Sequence, residues 1–331
     1  MLNCYWKYAG TQYRRKFQAI QAAQRNIDDI TFHLVDESLF NYNYRIEPTE
    51  SLEELIKERC LELRDTYPYI KFFFSGGFDS TTVLNSFLKN NIYIDEIIVY
   101  RFSMTDNFLN KSNIEVNDYV FTYLKSLNLR SKISTQDWGT KYVKKYFAKD
   151  NWFEKRNSLY LREVALPNIR GKNFCNLYGT PDARIDKING EWQLFAWDTE
   201  AYSESLKFRN TEFFFLTPKL LAKQAHLVKN YCNLHNINSL SYDACKELQR
   251  LICRDEPISK FHFPKQWSQS IKSENYPPVL RGHQQKEVLL LKEAPQIDKD
   301  KYRAILSTKI AGIPVVRLLR GYEVFRFNIG R

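Results

Sequence analysis

The sequence is poor in residues that break or cross-link a chain. Its 331 residues include only 11 glycines and 11 prolines, too few for a collagen-like or linker-rich protein. Six cysteines stand at positions 4, 60, 175, 232, 245 and 253. None belongs to a C-x-x-C pair or to a Cys/His group at zinc-finger spacing, so no zinc is expected. The expectation is reduced thiols packed as small apolar residues in a cytosol. The opening M-L-N-C-Y-W-K-Y lacks the apolar core of a secretion signal, and no run approaches the length of a membrane span. A cytoplasmic protein without a membrane partner is expected. Only two methionines occur, while Asn, Lys, Ile, Tyr and Phe are abundant. That usage suits an AT-rich genome and fits a viral protein in its host cytoplasm. No internal repeat and no sharp linker stands out.

Apolar residues are plentiful. They make up 44% of the chain, with 15% aromatic, enough for a sizeable core and against disorder over most of the length. The length allows one large domain, or one domain with an appendage. Lys and Arg outnumber Asp and Glu 49 to 38, a net charge of +11. That field favours polyanionic partners such as DNA, RNA or nucleotides. A generally basic soluble protein would show the same balance.

The hydrophobic pattern gives the organisation. Tyr13 to Arg25 reads as a short basic helix and Thr31 to Val35 as a strand. After Pro48, Thr49 or Ser51 can cap a helix whose apolar positions are Leu52, Leu55, Ile56, Cys60 and Leu63. It should stop near Tyr67-Pro68. Tyr69 to Phe74 suits a buried parallel strand. Helices are predicted over 79–88 and 115–127, and strands over 92–102 and 131–138. Strand, helix, strand, helix, strand is the pattern of a doubly wound α/β fold with a mostly parallel sheet flanked by helices. Residues 139–170 read as basic helix, and Asn173 to Tyr178 as a further strand. A hairpin is expected across Asn189-Gly190, followed by helices over 218–236 and 241–254. A helix or strand pair is expected around Gly312. The division that follows is an N-terminal extension and lead-in helix over 1–68, an α/β core over 69–180, and a more helical C-terminal substrate or partner region over 181–331.

Chemistry concentrates in Ser75-Gly76-Gly77-Phe78-Asp79-Ser80, between a strand and a helix. Two glycines permit positive φ and close approach of backbone to a ligand. The following helix offers its amides and its positive end to an anion. Ser75 and Ser80 add hydroxyl donors. Asp79 at the helix start can orient amides or hold magnesium. The loop is not a Walker A sequence, because no lysine follows. It is not a dinucleotide fingerprint either, because the third glycine is missing. The structural alternative is an ordinary strand–helix turn capped by Asp79.

S-G-G-F-D-S resembles the S-G-G-x-D-S loop of the PP-loop, or N-type ATP pyrophosphatase, superfamily, to which asparagine synthetase and 7-cyano-7-deazaguanine synthase belong. The resemblance implies a five-stranded, mostly parallel sheet with helices on both faces. It implies ATP cleaved between the α and β phosphates with magnesium, adenylation of an acceptor, and displacement of AMP by a nitrogen or sulfur nucleophile. By the same resemblance Ser75, Gly76, Gly77, Phe78, Asp79 and Ser80 hold ATP. Arg101 and Phe102, at the end of the second strand of the core, lie near the adenine. Glu115 opens the next helix. Gly179 and Thr180 complete the site, Asp79 and Asp182 hold the metal, and Lys309 joins Asp79 as a catalytic group reaching the phosphates. As plain sequence, Arg101 is equally a surface residue, Glu115 a helix-start acid and G-T-P-D a turn.

The departures narrow the resemblance. Leu2, not Cys, follows Met1, and the residues ahead of Ser75 are too few for a glutaminase domain. Clustered zinc cysteines and paired catalytic cysteines are absent. Cys175 is either a lone nucleophile or a buried strand cysteine. Lys141, Lys144, Lys145, Lys149, Trp152, Lys155, Arg156, Tyr160 and Arg162 interleave charge with aromatics, as a nucleic-acid track does and as a solvated helix face also does. Lys219, Lys223, Gln224 and His226 are polar candidates on the 218–236 helix. The expected function is an ATP pyrophosphatase-type enzyme, with a nucleic acid, nucleotide or small carboxylate as acceptor. A non-catalytic ATP- or nucleic-acid-binding protein and a reductase-like relative are the rivals.

Overall fold

A computed structural model of the chain describes residues 4–13, 16–24, 26, 29–34, 38–103, 117, 120–139, 174–179, 183–196, 210–240, 244–245, 248–249, 252, 309–310, 313–314 and 325–330. The N-terminal part holds β1 (Cys4–Tyr8), β2 (Thr11–Tyr13), helix α1 (Lys16–Ala23), β3 (Thr31–Leu34) and the short α2 (Ser38–Asn41). Its strands form an antiparallel sheet in the order β2-β1-β3. Helix α3 (Leu52–Thr66) follows. Ser51, one of the two expected caps, starts it. The Ser51 hydroxyl accepts the Glu54 N–H at 3.1 Å, and the Glu54 carboxylate accepts the Ser51 N–H at 2.8 Å. This reciprocal capping box satisfies two amides that a bare helix end would leave open.

The next elements are β4 (Ile70–Phe74), α4 (Phe78–Lys89), β5 (Glu96–Ser103), α5 (Phe121–Ser126), β6 (Lys132–Gly139), β7 (Cys175–Tyr178), the hairpin strands β8 (Ala183–Ile188) and β9 (Glu191–Ala196), and β10 (Thr211–Phe213). Helix α6 (Pro218–Leu234), the short β11 (Lys309–Ile310) and β12 (Ile313–Pro314), and β13 (Phe325–Asn328) complete the described elements. Five strands form one sheet in the order β10-β7-β4-β5-β6, every neighbouring pair parallel. This is the expected doubly wound α/β fold. Its edge strand β10 comes from well beyond the hairpin. The order reverses beside β4: β5 and β6 extend the sheet one way, and β7 and β10 the other. The carboxyl ends of β4 and β7 flank the crevice that such a reversal opens.

Alternation along the strands splits the core in two. Phe72, Phe74, Ile97, Val99, Cys175 and Leu177 pack with Cys60 and Leu63 of α3, Val83, Leu84 and Phe87 of α4, and Leu124 of α5. Phe73, Ile98, Tyr178 and Phe213 line the opposite face. There Tyr178 stacks on Phe73 at 4.6 Å, and Phe73 on Tyr100 at 5.6 Å. Burial of a ring such as Phe73, 4% exposed, contributes about 1.5–3 kcal/mol. Buried Arg59 ties α3 to β10, donating to the Glu212 carboxylate at 2.8 Å and to the carbonyls of Phe213 and Phe214.

Strand β5 begins at Glu96 rather than Ile92, for a local reason. Asn91 adopts φ +54, its N–H reaches the Leu88 carbonyl at 3.0 Å, and the Ile92 N–H reaches the Phe87 carbonyl at 2.9 Å. Those two bonds make a Schellman cap that keeps Ile92 at the end of α4. The hairpin expected at Asn189-Gly190 is present, with φ +52 and +81 at the two turn residues. Strand β13 adds to β9, and this sheet packs through Ile185, Trp192 and Leu194 against Leu221, Ala225 and Val228 of α6. Residues 115, 116, 118 and 119 of the helix expected over 115–127, and residues 140–170 of the basic stretch, lie outside the described residues. Among the described residues no helix is long and apolar enough to cross a membrane.

Candidate functional site

Strand β4 delivers the chain to the reversal point at Phe74, and the chain turns at once into α4. Gly76 makes the turn with φ +69, where a side chain would cost about 1–2 kcal/mol. Gly77 is the N-cap of α4, with extended backbone and no side chain to cap the helix. The Gly77 carbonyl accepts the Thr81 N–H at 3.0 Å. Helical geometry then leaves the amides of Phe78, Asp79 and Ser80 without acceptors inside the helix. Together with the helix dipole, these form a cradle suited to an anion.

The two serines brace this turn. The Ser80 hydroxyl donates to the Gly77 carbonyl at 2.9 Å and accepts the Ser75 N–H at 3.3 Å. With the single Ser80 proton so used, the 3.1 Å contact between the two hydroxyls runs from Ser75 to Ser80. The Ser75 oxygen in turn accepts the Gly77 N–H at 3.2 Å. Sequence reasoning offers both hydroxyls to a ligand. In this conformation both protons point into the loop, and the donors left for an anion are backbone amides. Asp79, half-buried, is the second residue of α4. Thr81, which the motif does not single out, is 8% exposed, and its hydroxyl has no hydrogen-bond partner among the described residues.

The other expected residues fall in several places. Phe74 is in register with Val99, so β5 continues past the end of β4. Arg101 and Phe102 therefore stand on the stretch that runs on beside the loop, paired with Asp137 and Trp138 of β6. Gly179 directly follows β7 and lies against the first turn of α4. Lys309 belongs to β11 in register with Pro314. Glu115, Thr180 and Asp182 lie outside the described residues, as do 141–162. Among the described residues no group of three His, Cys, Asp or Glu side chains could hold a metal ion on its own.

Several polar candidates have structural partners instead. Burial pushes the Cys175 thiol well above its ordinary range, with nearby Glu212 adding to the effect. It behaves as a strand core residue, because the thiolate is the nucleophilic form. Lys219 donates to Glu50, and Lys223 donates to the Glu47 carboxylate at 2.8 Å and the Pro48 carbonyl at 3.0 Å. The His226 ring pairs through Nε2 with the Tyr44 carbonyl at 2.9 Å, and Gln224 accepts the Ala183 N–H at 3.3 Å. These side chains fasten α6 to segment 44–50 and to β8.

No protein-family model matches the chain, and no curated protein matches its sequence. Among solved structures, the chain is similar to an NH3-dependent NAD synthetase from Campylobacter jejuni subsp. jejuni NCTC 11168 in complex with the nitrate ion. That likeness has 12% identity, covers 77% of this chain and 95% of that chain, and has a TM-score of 0.27. A likeness of that size carries no functional argument.

Proposed function

We propose that residues 75–80 bind the triphosphate of ATP and that the protein is an ATP pyrophosphatase-type enzyme. The observation that carries this reading is the loop itself. Three first-turn amides face an uncapped helix start, at the carboxyl end of the central strand, where the strand order reverses. The S-G-G-x-D-S letters select the reaction. An acceptor oxygen attacks the α-phosphorus, the bond from that phosphorus to the bridging oxygen breaks, and pyrophosphate leaves with the electron pair. A nitrogen nucleophile then displaces AMP from the adenylate. Nitrogen is preferred over sulfur because paired catalytic cysteines are absent from the sequence.

The protein's own part is positioning and charge. The amides of Phe78, Asp79 and Ser80 hold the β and γ phosphates, and the serine pair keeps them aimed. Asp79 suits magnesium, which takes one or two protein carboxylates and completes its shell with phosphate oxygens and water. A bound magnesium ion would neutralise charge on the leaving pyrophosphate. Asp182 is the proposed second carboxylate. Arg101 and Phe102 form the adenine side, Gly179 and Thr180 the opposite wall, and Lys309 a late phosphate contact. The basic charge favours a nucleic acid over a nucleotide or small carboxylate as acceptor.

Incubation with ATP, magnesium and a panel of such acceptors should give AMP and pyrophosphate. ADP and phosphate as products would refute α–β cleavage. Tight ATP binding with no AMP from any acceptor would make the chain a binding protein rather than an enzyme.

A further inference from the structure

Gly179 lacks a side chain for reasons of space rather than backbone freedom. Its φ lies outside the left-handed region, whereas Gly190 at φ +81 has open space around it. A Cβ on Gly179 would stand 3.0 Å from both N and Cα of Ser80 and 3.1 Å from the carbonyl carbon of Asp79. All three are backbone atoms of the first turn of α4, so no rotamer change can relieve the contact.

The two sides of this contact differ in firmness. Strand β7 is paired on both edges, with β4 and with β10. Its last residue, Tyr178, stacks on Phe73 and accepts the Phe214 N–H at 2.9 Å. Among the described residues the turn at 75–77 pairs with no strand, and besides the Thr81 N–H to Gly77 carbonyl bond its bracing comes from the Ser75 and Ser80 hydroxyls. A side chain at 179 would therefore displace the turn, and with it the amides of residues 78–80. Close-packed backbone has no slack to absorb the change.

We propose that Gly179 is a positioning residue: the end of β7 acts as a stop that sets where the first-turn amides of α4 stand and so tunes the protein toward phosphate. This rests on the ATP reading of the loop. It moves Gly179 from a residue that touches nucleotide to one that acts through Asp79 and Ser80.

The test compares wild type with Gly179→Ala in calorimetric titrations with ATP, inorganic pyrophosphate and adenosine. A misplacement of about 1 Å can cost roughly a hundredfold in rate, and the loss of phosphate affinity is scaled from it. A displacement of a few tenths of an ångström should cost about five- to tenfold for ATP and pyrophosphate alike. Adenosine affinity, which draws nothing from the cradle, should not change. Equal affinities in both proteins, or an equal loss for adenosine, would overturn the proposal, because a merely destabilised fold does not discriminate between phosphate and nucleoside. Wild type that binds neither ATP nor pyrophosphate would overturn the ATP reading, and this inference with it. Should the alanine variant fail to fold, a crystal structure of wild type with a non-hydrolysable ATP analogue decides. Gly179 still packed on the Ser80 backbone, with the phosphates on the amides of 78–80, supports the stop. A phosphate held on the Gly179 amide, or a loop withdrawn from Gly179, overturns it.

Discussion

Removing the hydroxyls of Ser75 and Ser80, singly and together, separates bracing from ligand contact. Ser80→Ala deletes one donor bond to the Gly77 carbonyl and two acceptor bonds, from the Ser75 N–H and the Ser75 hydroxyl. Ser80 is 5% exposed, but Ser75 and Gly77 are exposed, so water can replace the lost partners on their side. Three bonds lost with partial rehydration amount to about 1–2 kcal/mol, below the sum for three buried orphans. Ser75→Ala deletes the shared hydroxyl bond and the acceptor for the Gly77 N–H, about 0.5–1 kcal/mol at an exposed site. The hydroxyl–hydroxyl bond is counted in both single variants. The double variant should therefore fall short of the sum by about 0.5–1 kcal/mol. Urea denaturation of the four proteins reads the stabilities, and calorimetry reads ATP affinity. All four should still bind ATP, Ser80→Ala about three- to tenfold more weakly, because the backbone amides remain but are less fixed. Additivity to within about 0.3 kcal/mol would remove the shared bond. Stability unchanged, with ATP binding abolished in Ser80→Ala, would put that hydroxyl on the ligand and refute the bracing argument.

Other perturbations test the rest of the frame. Gly76→Ala forces a side chain into φ +69 and should cost about 1–2 kcal/mol in denaturation; an unchanged midpoint would mean the turn adopts another backbone. Asp79→Asn should leave the melting temperature within a few degrees while removing the magnesium dependence of ATP affinity; equal dependence in both proteins would exclude Asp79 as the metal's carboxylate. Arg59→Ala removes the Glu212 carboxylate's cation and one donor each from the Phe213 and Phe214 carbonyls, a loss of about 3 kcal/mol, at the low end because Glu212 keeps some solvent and the Tyr67 hydroxyl at 2.6 Å. A loss under about 1 kcal/mol would show that β10 does not depend on this tie. Burial holds the His226 pKa below its ordinary 6.5, with Lys229 and Lys223 adding to the depression and the Tyr44 carbonyl and Glu47 opposing it. The unfolded chain then binds more protons than the folded one in the window just below 6.5. Stability is full above that value and falls as the pH drops through the folded pKa. His226→Gln should flatten the slope in that window in pH-dependent denaturation; an unchanged slope would assign it to other groups.

The parallel sheet was legible because its strands are short, apolar and separated by helical periods, a pattern few other folds accept. Phe72, Phe73 and Phe74 in succession require burial on both faces, and both faces are filled. The loop was legible for the same local reason: two glycines and two serines act within six residues. The roles given to the C-terminal polar residues were harder to read. Lys219, Lys223 and His226 look like free functional groups on a helix, and only the return of segment 44–50 across α6 gives them partners. That contact spans more than 150 residues and leaves no periodic trace in the sequence.

Gly179 shows most clearly where local reading stops. Its letters sit in G-T-P-D, a turn beside a strand end, and a glycine there suggests either positive φ or a ligand close by. Its φ is not in the left-handed region, and what stands against it here is the backbone of Asp79 and Ser80. The residue is defined by its distance to Ser80, and that distance exists because β7 inserts beside β4 on the side away from β5. Nothing in the local pattern states which edge of β4 a later strand will take. With β7 beside β4, the residue after β7 meets the first turn of α4, where a Cβ would stand 3.0 Å from the Ser80 backbone. On the proposed reading, the reversal of strand order at β4 also supplies the stop that sets the first-turn amides of α4. In a sheet of this order, a glycine closing the strand beside the loop is therefore evidence about the loop's position before it is evidence about the ligand.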